Sequence, residues 1–316
     1  MKKSIKRIFT LGLIAAPTFL PGQFFPIGGL KDGHVKVRVV DDAGTPIEGV
    51  HVTLYSNADS GAKPGSTDTN GVYSAEMRNI YAAIGGSFQK KGYYKSTGDF
   101  WHWDKWGGVP PANTNFPITM KRIIEPVPLK YKEVWMIFPR FDEPVGFDLG
   151  IGDWVFPDGK GINTDMLIKS DGHHVSKNDY SFNVSIEFVG EHNGMQSFYY
   201  PKIDSPSIPL RSELPPPSIA PSSDYENMFS RSIRRLPSEN RRPRASDDTR
   251  KWIYRIRTEV DEGGNIVSAN YGWMTKDFYI GNSTGVGGIG FYYYYNPDPH
   301  SRSLEPKEIA DRQNRD

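Results

Sequence analysis

The stretch Val39-Val40-Asp41-Asp42-Ala43-Gly44-Thr45-Pro46-Ile47-Glu48-Gly49-Val50-His51-Val52 decides the fold class. Upstream of it, Val35, Val37 and Val39 fall on one side of an extended chain and Lys36 and Arg38 on the other. That alternation with period two is the pattern of a half-buried strand. Asp41 to Pro46 is turn chemistry, with Gly44 free to take positive φ and Pro46 presetting its own. Val50, Val52 and Leu54 then resume the alternation against His51 and Thr53. A second turn, Asp68-Thr69-Asn70-Gly71, feeds Val72-Tyr73, and further short strands are expected up to Met120. The sequence predicts an all-β protein.

Composition supports that reading and narrows the chemistry. The chain has 316 residues, 32 glycines, 25 prolines and 13% aromatics, a turn-rich and ring-rich balance that suits sheets rather than helices or disorder. A formal charge of +1 gives no global field toward nucleic acid. Cysteine is absent, which removes disulfides, thiolate metal sites and a thiol nucleophile.

The quoted stretch, with Thr67-Asp68-Thr69-Asn70-Gly71-Val72-Tyr73 and Lys91-Gly92-Tyr93, resembles the carboxypeptidase regulatory-like domain. The resemblance covers residues 33–122 and implies a transthyretin-like, Ig-like β-sandwich common in exported bacterial proteins. It implies no catalytic residue, because the family domain is an accessory module.

Ile123-Ile124-Glu125-Pro126-Val127-Pro128 reads as a boundary, since alternate prolines cannot join a central strand. Residues 126–316 then read as a second β-rich, sandwich-like domain. Val134, Met136 and Phe138 alternate with Trp135 and Ile137, a run expected to be buried on both faces. Phe182 to Phe188 alternates cleanly, Trp252 to Val260 pairs with Ile266 to Tyr271 across a Gly263-Gly264 turn, and Gly288 to Tyr295 forms the last strand. Only Pro306 to Arg312 has a helical period. The Pro- and Arg-rich segment 202–248 is expected to be a mobile insertion, because its composition offers little apolar surface to bury.

At the other end, Lys2, Lys3, Lys6 and Arg7 precede the nine-residue apolar run Ile8 to Ala16. Residues 1–26 therefore read as a signal peptide or an N-terminal anchor. The expected location is outside the cytoplasm, in the periplasm, cell envelope or extracellular space, with membrane contact through this segment only.

Candidate sites are few. Phe100-Trp101-His102-Trp103-Asp104-Lys105-Trp106 concentrates three tryptophans, and Trp101, Trp103 and Trp106 form the candidate ligand platform, for sugar stacking or another interface, or else pack between domains or on the sandwich edge. His173-His174 with Asp171, and His102 with Asp104, lack metal-ligand spacing, so no metal and no cofactor is expected. Asp68 to Gly71 lacks the downstream glutamate of a calcium loop. Gly285-Val286-Gly287-Gly288-Ile289-Gly290 precedes a strand rather than a helix, so close backbone packing or a bulge is expected there. Asp142, Glu143, Asp148, Asp153, Glu187 and Glu191 could supply an acid and a base. The expectation is a non-enzymatic exported envelope protein, structural or ligand-binding, with envelope polysaccharide or another envelope protein as partner. The alternative is an extracellular polymer hydrolase using carboxylates of the second domain.

Overall fold

The computed structural model describes residues 33–56, 61–77, 83–102, 115–176, 178–199, 211–239, 246–247, 249–281 and 287–314. The alternation around the first turn folds as read. Strands β1 (Gly33–Val40), β2 (His51–Ser56), β3 (Lys63–Ser66), β4 (Val72–Met77), β5 (Ala83–Gln89), β6 (Ser96–His102) and β7 (Asn115–Thr119) form two facing sheets. One has the order β4-β1-β7, with β1 and β7 parallel, and the other runs β6-β5-β2-β3. Val37, Val39, Val50, Val52 and Leu54 are sealed between them with Ile84, Phe88 and Ile118, and Tyr73 packs at the margin. The turns are fixed by their aspartates: Asp41 accepts the amides of Ala43 and Thr45, and Asp68 those of Asn70 and Val72. Gly71 is required as glycine, because a Cβ there would lie 2.4 Å from the Val39 carbonyl.

The second region contributes β8 (Lys130–Ile137), β9 (Pro144–Asp148), β10 (Asp153–Trp154), β11 (Met166–Ser176), β12 (Asp179–Phe188) and β13 (Gly194–Tyr199). It continues with β14 (Arg211–Ser212), β15 (Met228–Arg235), β16 (Arg250–Val260), β17 (Ile266–Met274), β18 (Tyr279–Gly281) and β19 (Gly288–Tyr295). Helix α1 (Lys307–Gln313) closes the described chain and buries Ile309 and Ala310. One sheet has the order β10-β9-β11-β12-β15. The other has the order β13-β16-β17-β19-β18, with β8 on the far side of β19. Phe147, Met166, Ile186, Phe188, Tyr254, Phe278, Phe291 and Tyr293 fill the space between the two sheets.

Two expectations are corrected here. The segment 202–248 is not a mobile insertion over residues 211–239. Strand β14 pairs with β6 and extends the N-terminal sheet, while β15 forms one edge of the second sandwich with Phe229 and Ile233 buried. Its composition misleads because the polar groups are used internally: Arg231 pairs with buried Asp277, and the Pro215 and Pro216 carbonyls accept the Lys121 ammonium. Strand β8 is not buried on both faces either. Val134 faces the core, whereas Trp135 and Ile137 are 52% and 53% exposed.

The boundary at 123–128 is held rather than free. Fully buried Glu305 accepts the amides of Ile124 and Glu125, and Val127 pairs beside Pro306. Around it lies a third apolar cluster, in which Tyr94 of the N-terminal part meets Leu214, Trp273, Tyr294, Leu304 and Ile309. Gln313 of α1 accepts the Lys95 amide and donates to Glu213. The C-terminal segment thus packs against the first sandwich and the second.

Candidate functional site

Two places in the second sandwich concentrate chemistry-bearing side chains, and they differ in what their groups are free to do. At one end of the molecule, Asp148 closes β9 and Asp165 precedes β11; both are buried. Arg257 reaches them from β16, where a bulge interrupts the ladder between Ile256 and Glu259 and the arginine takes φ +53°. Its Nη2 donates to Asp148 at 2.9 Å and to Asp165 at 2.8 Å, and its Nε donates to Asp165 at 2.8 Å. Asp148 also accepts the amides of Ile151, Ile162 and Asn163, which gathers two loops around one carboxylate. Asp165 accepts the Leu149 amide.

The electrostatics follow from those partners. Burial alone would raise the Asp148 carboxyl, but the three amides and Arg257 more than offset it and hold the group below its ordinary value. Burial dominates at Asp165 and pushes its carboxyl up despite Arg257. Burial would likewise lower Arg257, yet its bonds to Asp165 and the charge of Asp148 push it higher still, so it stays a cation. A raised acid beside a lowered one is the pattern of acid–base pairs. Here, however, every carboxylate oxygen accepts from Arg257 or a backbone amide, so the pair builds the loop end rather than facing a substrate.

The other acids named from the sequence are dispersed. Asp153 accepts the amides of Trp154 and Lys160, Glu143 pairs with Arg140, Asp142 has φ +64° in an exposed turn, and Glu187 and Glu191 are exposed. His173 and His174 lie in β11, Asp171 accepts the Asn183 side-chain amide, and the described residues hold no group of three or more metal-ligating side chains. Of the candidate platform, Trp103 and Trp106 lie outside the described residues. Trp101 is placed by its backbone, in register with Ile84.

The second place is the outer face of β8 and β19. Residues 131, 133, 135 and 137 point away from the core, as do Tyr292 and Tyr294 on the neighbouring strand. Trp135 lies over Gly290, where a Cβ would sit 2.5 Å from the indole, so the glycine makes room for the ring. This is the close packing expected for the 285–290 glycines, at residues 287, 288 and 290. The indole N–H donates to Glu133 at 2.9 Å and to the Tyr292 hydroxyl at 3.1 Å. Tyr279 and Tyr292 flank it with centroids 5.3 and 5.8 Å away, tilted by 60° and 82°. Lys276 sits 5.0 Å above the Tyr292 ring, and Tyr131, half exposed, leans on Tyr294 at 5.2 Å. Tyr294 in turn stacks on Trp273 beneath the C-terminal segment. The result is a strip of rings running out of the buried cluster into solvent, with Glu133 and Lys276 beside it. An apolar run reads as two-sided burial and so hides this strip; the signal for it is Glu133 on the same side as Trp135.

A third feature is a groove of about 520 Å³ along β13 and β15, where Tyr199, Asp224, Glu226 and Arg250 meet. Arg250 stacks between the Tyr199 and Trp252 rings and donates to the Tyr199 hydroxyl.

No family model matches the sequence, and no curated protein matches it. The resemblance of residues 33–122 to the carboxypeptidase regulatory-like domain therefore stays an expectation. Among solved structures, a 3-chlorocatechol 1,2-dioxygenase from Rhodococcus opacus 1CP is similar at 16% identity and a TM-score of 0.24, over 35% of this chain and 71% of that one. The shaft pilin SpaA from Lactobacillus rhamnosus GG is similar at 14% identity and 0.23, over 76% and 93%. A DUF3823 family protein from Parabacteroides merdae is similar at 7% and 0.19, over 87% and 98%. Likenesses this weak carry no argument about what the chain does.

Proposed function

We propose that this chain is a non-enzymatic exported protein of the cell envelope, a structural or ligand-binding module whose contact surface is the aromatic face of β8 and β19. Envelope polysaccharide is the ligand class that fits best. Tilted, half-exposed rings offer apolar faces to sugar rings, and Glu133 and Lys276 stand where hydroxyls would be fixed. The single observation that carries the reading is Trp135: half exposed, it is seated over Gly290 and hydrogen-bonded to Glu133 and Tyr292. A ring held rigid in solvent loses little entropy on contact. Export enters through the basic and apolar N-terminal segment, and the carboxypeptidase regulatory-like reading of residues 33–122 agrees with it. No helix among the described residues is long and apolar enough to cross a membrane.

One observation favours a second reading. Asp224 and Glu226 share the groove with an exposed tyrosine ring and Arg250, an arrangement a polymer hydrolase could use. Incubating the purified chain with a panel of insoluble and soluble polysaccharides separates the two. Retention on one of them without release of reducing ends is the expected result. Release of reducing ends that Asp224→Asn or Glu226→Gln abolishes would transfer the function to the groove.

A further inference from the structure

Among the described residues, the edge of β8 that faces away from β19 is unpaired. The Phe138 amide donates to Gly287, so alternate residues 136, 134, 132 and 130 bond to β19. The N–H and C=O groups of Tyr131, Glu133, Trp135 and Ile137 therefore point away from the sheet. Natural edges are blunted by proline, bulges, charge or shortness. Here β3 carries Pro64, β7 carries Pro117, β10 and β14 have two residues each, and β15 carries Arg231, Arg234 and Arg235. By contrast, β8 runs eight residues with no proline, and its pairing with β19 shows no shift in register. Of its two inward-side lysines, Lys132 donates to the Ile151 carbonyl and Lys130 is exposed. Three of its outward side chains are large, apolar and about half exposed.

We infer that β8 pairs with β8 of a second copy of this chain, antiparallel about a two-fold axis at Val134, joining the two outer sheets into one. The register is selected by the residues themselves. Placing Val134 opposite Val134 sets Glu133 against Trp135 and Tyr131 against Ile137, twice each by symmetry, and Lys132 against Met136. No charge then faces a like charge, and each outward apolar side chain has a partner. A shift one way puts Glu133 on Glu133, which repels. A shift the other way sets Tyr131 against Pro139, which has no N–H to offer. The outward residues at 131, 133, 135 and 137 become the hydrogen-bonded pairs, as their orientation requires. The pairing also brings the two aromatic faces together, so it deepens the contact surface proposed above without depending on its ligand.

The chain has no cysteine, so engineered thiols report without background. Glu133→Cys and Trp135→Cys chains, mixed and oxidised, are expected to give a cross-linked dimer, because those positions face one another at about 5.5 Å between Cα atoms. Either variant alone is expected to give several-fold less. Sedimentation of the parent is expected to show a dimer, and Glu133→Pro, which removes an outward N–H while leaving the β8–β19 bonds intact, a monomer with an unchanged circular dichroism spectrum. A parent that stays monomeric at every concentration overturns the pairing. So does a dimer that Glu133→Pro leaves intact, or cross-linking strongest for either variant alone. A dimer that binds no polysaccharide would overturn the ligand reading and leave the pairing standing.

Discussion

The sealed end around Arg257 and the open face around Trp135 use opposite materials for opposite purposes. At the sealed end the second sandwich buries charge. Asp148 and Asp165 are taken out of water and Arg257 partly so, and every carboxylate oxygen and two of the three guanidinium nitrogens find partners at 2.8–3.0 Å. At the open face it exposes apolar rings, and Trp135 keeps its one polar atom bonded on the protein surface. Buried ions are expensive unless fully paired, so a complete set of partners marks architecture. Exposed rings on a rigid strand lose burial with no structural return, and that marks a contact surface. Chemistry-bearing residue types are therefore a poor guide to the site in this protein.

The comparison can be broken by substitution. Arg257→Leu leaves two buried carboxylates without their cation and should cost about 3–5 kcal/mol, read by urea denaturation. A loss under about 1 kcal/mol would mean that the sealed end is not structural. Asp148→Asn should cost somewhat less, about 2–3 kcal/mol at pH 7, because the one amide oxygen can still accept from either the Ile162 and Asn163 N–H groups or the Ile151 N–H and Arg257, while its NH2 faces the other donors. Its folded carboxyl lies below the ordinary 3.8, so the parent's advantage is present above that value and is lost as pH falls through the lower folded one. Thermal melts of parent and variant should converge only at a pH well below 3.8, once the folded carboxyl is protonated. Gly290→Val should cost about 1–3 kcal/mol by forcing the indole off its seat. At the small end, Ile137→Thr should change stability by about 0.5 kcal/mol or less, as a half-exposed site on the open face requires.

What could be read from sequence follows the same division. Valines at 35, 37, 39, 50 and 52 announce the first sandwich because one face is apolar and the other charged, and all five are buried. Strand β15 was hidden because two apolar residues, Phe229 and Ile233, sit among serines and arginines whose partners are far along the chain: Arg231 finds Asp277, and Ser232 finds Asn183. No local pattern carries that pairing. Trp135 was misplaced for the converse reason, since an apolar run looks the same whether its second face meets a sheet or solvent. Asp148 and Asp165 are separated by sixteen residues that include β10, and nothing in that spacing announces the arginine that joins them from β16.

Trp135 is the residue on which the contact surface depends most directly. Trp135→Ala, Trp135→Phe and the parent should be compared for retention on the polysaccharide the parent binds best, with a melt of each chain alongside. The expected result is a loss of at least tenfold in affinity for the alanine variant, partial recovery for phenylalanine, and melts within a few degrees of the parent. Affinity for that polysaccharide unchanged in a folded Trp135→Ala chain would contradict the account and move the contact surface elsewhere on the molecule.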